Sequence, residues 1–227
     1  MGLVKQQKVS GFVSGGSTGA VTAAALLMLG RKKGIFRPAL GITFDSLKGP
    51  TLFMDVGANA DCKPQYLLQF ARMGNVYMSK IFNIPEPKIG LLSTGEEDTK
   101  GNKLTIASHK LLQKSGLNFI GNVEGQDLAL GGADVVVTDG FTGNVVIKLS
   151  EGLAAVLSML FKQAGKEGSS LGNSTGHILN HTPGALLLGV EGNVVVTHGK
   201  SDAWSIKESI RVAQRMIEEK VLEAIGT

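Results

Sequence analysis

Cysteine is almost absent from this chain. A single residue, Cys62, in 227 excludes an internal disulfide and fits a reducing compartment. The thiol lies beside Asp61 and Lys63, where a nucleophile is conceivable and a bystander is the plainer reading. Aromatic residues make up only 5%, so the core must rest on Leu, Val, Ile and Ala. The longest unbroken apolar run, near Ala20–Leu29, falls short of the roughly 20 residues that cross a bilayer. No basic, apolar and small-residue leader opens the chain, so the expectation is a soluble, cytoplasmic protein. Basic residues are dispersed and not interleaved with aromatics, which disfavours nucleic acid as a partner. The net charge of +4 is that of an ordinary solvated surface. His177 and His181 are spaced i,i+4 without the intervening carboxylate of a metalloprotease helix, and His109 has no ligand partner in the pattern. No metal and no cofactor are expected. The G-x-S-x-G elbow of a serine acyl-enzyme is also missing.

What is present is alternation. With 43% hydrophobic residues the chain can build one sizeable core, and a single domain over 1–227 is expected. Apolar, β-branched runs predict strands at Val9–Val13, Ala39–Phe44, Thr51–Val56, Lys88–Leu92, Asn118–Gly121, Asp134–Val137, Leu186–Val190 and Asn193–Thr197. Helical spacing predicts helices at Thr18–Gly30, Pro64–Phe82, Asn102–Ser115, Gly143–Gln163 and Ser201–Ala224. Strands alternating with helices argue for an α/β fold, a largely parallel sheet covered on both faces. The pair around Glu191-Gly192 reads as a hairpin, so the sheet should be mixed. Residues 165–184, rich in Gly and Ser, read as a flexible insertion.

Two loops share a strand, loop, helix layout. Asp134–Val137 runs into Asp139-Gly140, after which Thr142, Gly143 and Asn144 open a helix. Val9–Val13 runs into Ser14-Gly15-Gly16-Ser17-Thr18-Gly19 and an apolar helix. A helix start offers free N–H groups and the positive end of a dipole to an anion, and the hydroxyls of Ser14, Ser17 and Thr18 can donate to phosphate oxygens. Gly16 and Gly19 let backbone approach a ligand. The loop matches neither a Walker A sequence nor the dinucleotide fingerprint. Two such loops in one chain point to a phosphate-bearing ligand.

The motifs then accumulate: V-S-G-G-S-T-G-A at Val13–Ala20, R-P-A at Arg37–Ala39, D-V-G-A-N at Asp55–Asn59, Q-F-A-R-M-G at Gln69–Gly74, G-L-L-S-T-G-E-E at Gly90–Glu97 and K-G-N at Lys100–Asn102. They continue with G-N-V-E-G at Gly121–Gly125, D-G-F-T-G-N at Asp139–Asn144, L-L-G-V-E-G at Leu187–Gly192 and T-H-G at Thr197–Gly199. In this order and over nearly the whole chain, the set resembles the phosphate acyltransferase (PlsX) family of bacterial phospholipid synthesis. The resemblance implies a three-layer α/β/α sandwich with a mixed, mostly parallel sheet, similar to the phosphotransacetylase and isopropylmalate dehydrogenase-like fold. It implies reversible transfer of a long-chain fatty acyl group from acyl carrier protein to inorganic phosphate. It also implies a homodimer, a downstream acyl-phosphate glycerol-3-phosphate acyltransferase as the consumer of the product, and a cytoplasmic location with peripheral contact to the inner membrane face as an option. The family's helical hairpin near the dimer interface falls at 165–184, where few apolar residues beyond Leu171, Ile178 and Leu179 remain, which argues against membrane attachment.

The chain departs from the family in places. The acidic, glycine-rich opening motif D-A-M-G-G-D has no counterpart, Ser17 replaces an asparagine, and Pro183-Gly184-Ala185-Leu186 replaces G-G-A-P. A shortened, non-catalytic phosphate- or carrier-binding homologue and a coenzyme A-dependent phosphotransacetylase-like enzyme therefore stay open as alternatives.

Attack of phosphate on a thioester needs a phosphate cage, an oxyanion site and charge relief for the departing thiolate. Lys100, in E-E-D-T-K-G-N, is the first choice for charge stabilisation, with Asn102 beside it as a binding group or a helix cap. Asp139 can orient a proton or hold its loop. Thr142, Asn144 and the Gly143 backbone can donate to an oxyanion. His198 can protonate the thiolate, although a structural role is the plainer reading. Asn59, with Asp55 and Asp61, sits at a strand end and can line the pocket or make a turn. Arg31-Lys32-Lys33 and Lys207, Arg211 and Arg215 are candidates for a face toward the acidic carrier protein.

Overall fold

The computed structural model describes residues 1–164 and 184–226. The predicted insertion at 165–184 lies outside the described residues except for Gly184, as do His177 and His181. Eight strands form one sheet: β1 (Gly11–Ser14), β2 (Ala39–Ser46), β3 (Gly49–Met54), β4 (Ile89–Leu92), β5 (Phe119–Val123), β6 (Val135–Val137), β7 (Ala185–Leu188) and β8 (Asn193–Val196). The helices are α1 (Gly2–Lys5), α2 (Thr18–Met28), α3 (Pro64–Phe82), α4 (Lys103–Gln113), α5 (Gly125–Leu130), α6 (Gly140–Gln163), α7 (Ala203–Glu218) and α8 (Val221–Ala224). The strand order is β1-β8-β7-β2-β3-β6-β4-β5. The β1–β8, β3–β6, β6–β4 and β4–β5 pairs are parallel, and the three pairs through β7 and β2 are antiparallel.

That antiparallel centre reverses the sheet's polarity. β1 and β8 run one way and β3, β6, β4 and β5 the other, so the two glycine loops leave opposite ends of the strands. Period-two alternation assigns side chains to the two faces. Leu52, Met54, Val135, Val137, Leu186, Leu188 and Val195 pack under α3, α4, α7 and α8. On the other face, Leu187, Val194 and Val196 meet Val21 and Ala25 of α2. Phe53 and Val136 meet Leu128 of α5 and Val146 and Ile147 of α6. The three-layer sandwich follows, with a gap on the second face between α2 and α6.

α3 shows why the sequence was readable there. Pro64 opens it, Leu67, Phe70, Ala71, Gly74, Tyr77, Met78 and Ile81 fall on one buried face, and Asn83 closes it in the left-handed region at φ 55°. A Cβ on Gly74 would sit 2.6 Å from Val135 Cγ1, so glycine lets the helix lie close on the sheet. The expected helix over Ser201–Ala224 is instead two, because Lys220 adopts φ 52° and breaks it. α5 lies outside the expected elements; it is a single capping-box turn between Glu124 and Asp127, too short for periodicity to reveal. By length and composition α6 is apolar enough to cross a membrane, although Lys148 and Glu151 interrupt its apolar run.

Candidate active site

A cleft of about 550 Å³ fills the gap between α2 and α6. Its floor is the antiparallel centre of the sheet, through Leu40, Ile42, Ala185 and Val196. Thr18 at the start of α2, Gly140 and Asn144 at the start of α6, and Ser201 and Ser205 at the start of α7 bring three helix N-termini to it. His198, Lys200 and Lys148 add basic groups.

The three helix ends are not equivalent. Asp139 caps α6: its Oδ1 accepts from Thr142 N–H at 2.9 Å and its Oδ2 accepts from the Thr142 hydroxyl at 2.9 Å. Asp202 caps α7, accepting from Ser205 N–H at 2.8 Å and from the Ser205 hydroxyl at 2.7 Å. Both carboxylates offset the helix dipole they cap. α2 has neither a side-chain cap nor an acidic residue in its first turn, so its end keeps its positive potential. The loop before it, with Ser17 and Gly19, is exposed, and Ser14 Oγ accepts from Gly16 N–H at 3.1 Å. The Ser14–Gly19 loop lies against the β8 exit. Thr197 N–H donates to Ser14 O at 2.8 Å, and the Thr197 and Ser201 hydroxyls are hydrogen-bonded to each other. His198 Nδ1 accepts from Lys200 N–H at 3.1 Å. In the neutral ring the proton therefore sits on Nε2, the atom left for a ligand.

Asp55 anchors the base of the cleft without lining it. Its fully buried carboxylate accepts from the N–H groups of Leu40, Gly57, Ala58 and Asn59 and from Asn59 Nδ2, at 2.8–3.2 Å. Burial pushes its carboxyl above the ordinary range, and these hydrogen bonds pull it part of the way back. Asn59 also donates to Pro38 O at 2.8 Å. Gly140 N–H donates to Asn59 O at 2.8 Å. A Cβ on Gly143 would lie 1.9 Å from Asp55 O, so only glycine lets α6 start where it does. Burial, with the Asp55 carboxylate second, pushes the Cys62 thiol up to about 12, which keeps it protonated at neutral pH.

The structure thus brings Thr18, Asn144 and His198 together and gives several other candidates different work. Asp139 and the Thr142 hydroxyl are hydrogen-bonded to each other in the α6 cap. Asn59 and Gly143 support the Asp55 turn and the α6 start. Asn102 caps α4 through Thr105 N–H at 2.9 Å. Lys100 belongs to the β4–α4 loop beyond β6 and does not line the cleft. That loop is held by Asn122 Nδ2 donating to Glu97 O at 2.7 Å, by His109 between Asn122 at 3.0 Å and Asp98 at 3.3 Å, and by Lys100 N–H on Glu97 O at 2.9 Å. Sequence reasoning missed Lys200, Ser201 and Ser205. The T-H-G-K-S-D stretch has the same strand, loop, helix layout as the two glycine loops, and that was the available signal.

This α/β sandwich with a polar cleft over a polarity-reversing sheet has known counterparts. A phosphotransacetylase from Streptococcus pyogenes superposes with a TM-score of 0.67 at 19% identity, over 96% of this chain and 65% of that one. The EutD phosphotransacetylase from Staphylococcus aureus gives 0.60 at 17%, over 98% of this chain and 65% of that one. These matches define the fold class. The family described as "Fatty acid synthesis protein" matches residues 1–224. The phosphate acyltransferase of Desulforamulus reducens is 46% identical over 98% of this chain and 70% of its own length. That of Pelotomaculum thermopropionicum is 48% identical over 98% and 69%. The chain belongs to the phosphate acyltransferase family of fatty acid synthesis proteins, and its class is acyltransferase.

Proposed function

We propose that this chain transfers a long-chain fatty acyl group from acyl carrier protein to inorganic phosphate, for use in phospholipid synthesis. The observation that carries the reading is the uncapped N-terminus of α2, which lines one cleft with His198 and Lys200. Phosphate binds at the first turn of α2, where the Thr18 hydroxyl and free amides donate to its oxygens. A phosphate oxygen attacks the thioester carbon, and Asn144 Nδ2 donates to the oxyanion that forms. The carbon–sulfur bond then breaks, the departing thiolate takes the proton that the attacking hydrogen phosphate gives up, and His198 Nε2–H donates a hydrogen bond to the sulfur. The products are acyl phosphate and free carrier protein. Asp139 and Asp55 position α6 and the loop beneath it. The acidic carrier meets exposed basic groups, Lys33 and Lys207 first among them; Arg31, Arg211 and Arg215 are exposed too but are engaged with Phe36 O, Glu208 and Ile81 O. A cytoplasmic homodimer joined through the exposed apolar stripe of α6 completes the reading.

The test is acyl phosphate formation from long-chain acyl carrier protein and phosphate. Thr18→Asp places a negative charge where phosphate binds, and kcat/KM for phosphate should drop by about a hundredfold or more with circular dichroism unchanged. Lys100→Ala should leave turnover nearly unaltered. The reverse pattern would move the reaction to the β4–α4 loop.

A further inference from the structure

The cleft continues beyond its polar part. A second groove of about 160 Å³ runs between the sheet and α6 and shares Ile42, Ile147 and Glu151 with the cleft. Its lining is chiefly apolar: Phe44 and Phe53 from the sheet, Leu128 from α5, and Val146 from α6. Phe53 is fully buried, so the floor is rigid. Of the polar groups at its margin, Asp45 is exposed and two others are engaged within α6. The Ser150 hydroxyl donates to Val146 O at 3.0 Å, and Glu151 is held by Lys148 at 2.7 Å. A polar compartment holding basic side chains and the uncapped α2 end, next to a mostly apolar groove that shares Ile42, Ile147 and Glu151 with it, matches a ligand with a phosphate or carbonyl head and a hydrocarbon tail.

We infer that this groove takes the hydrocarbon chain of the acyl group and that Ser150, on its α6 wall, sets how much chain fits. The inference rests on the acyl phosphate reading of the cleft. The head lies between α2 and His198, and the chain passes Ile42 and Ile147 to lie on Phe53 under α6. A longer side chain at position 150 shortens the groove, and a smaller one at 146 widens it.

Alkylphosphonates of methyl, butyl, octyl and dodecyl length test this by calorimetry on the whole chain, without relying on turnover. In the wild type, affinity should rise by roughly fourfold per methylene while the chain fills the groove, then level off. Ser150→Leu should lower the ratio of dodecyl to methyl affinity at least tenfold, as an order-of-magnitude expectation (~1.4 kcal/mol). Val146→Ala, which only removes atoms, should let the rise continue to longer chains. Affinity independent of chain length in the wild type overturns the inference, as do length profiles unchanged in both variants. Length-dependent binding without acyl phosphate formation from any donor sinks the acyl phosphate reading and leaves the groove assigned.

Discussion

Helices α3 and α6 are both long and carry many apolar residues, yet they meet opposite surroundings. α3 buries eight residues of its 19 against the sheet, among them Phe70 at 0% exposure. α6 buries only Gly140, Gly143 and Ala154 of its 24, and leaves Leu149 at 62% and Met159 at 64% exposed. α3 is held by side chains along its whole length. α6 is held at its base, by the Asp139 cap, the Gly140 N–H on Asn59 O and the close approach of Gly143 to Asp55. A helix needs no continuous packed face to keep its start in place. Because that start also lines the cleft, the contacts that anchor α6 also shape the site.

The largest test of this contrast is at the α6 base. Gly143→Ala forces a Cβ into the Asp55 carbonyl, so urea unfolding should show a loss of about 3 kcal/mol or more, or no folded protein. Wild-type stability would mean that α6 is not fixed there. Next comes the pair Phe70→Ala and Leu149→Ala. The first should cost about 3–5 kcal/mol and the second less than about 0.5 kcal/mol in dilute solution. A cost at Leu149 that grows with protein concentration would show the stripe covered by a second copy, as the homodimer proposal requires. The smallest effect concerns Cys62, packed beside this base. Above its ordinary value of 9.0 the unfolded chain sheds the thiol proton, while the native chain keeps it up to about 12. Stability should therefore fall as pH rises across that interval, and Cys62→Ala should remove that part of the slope. Native Cys62 should also resist iodoacetamide at neutral pH and react once urea unfolds the chain.

The strands and long helices were legible because each buries a periodic set of side chains, and period is a local property. Pro64–Phe82 matches the observed helix at both ends, since a proline start and an asparagine stop mark it in the sequence. The last helix was overextended because nothing local in Glu219-Lys220 signals the left-handed turn at Lys220. Thr18 and Asn144 were legible as candidates because loops at helix starts announce anion chemistry, and His198 because it ends an apolar strand; all three line the cleft. Lys100 was chosen on equally local grounds, a cation ahead of a helix, and the fold carries it past β6, outside the cleft.

By itself, the order of residues determined the elements, the alternation of strand and helix, the mixed sheet and the two glycine loops, all of which depend on neighbours a few positions apart. Only the tertiary structure decided which loops share one cleft. The antiparallel β7–β2–β3 centre turns the two halves of the sheet in opposite directions, so residues from opposite strand ends meet across one face. These outcomes depend on contacts between segments far apart in the chain, and no local pattern encodes them.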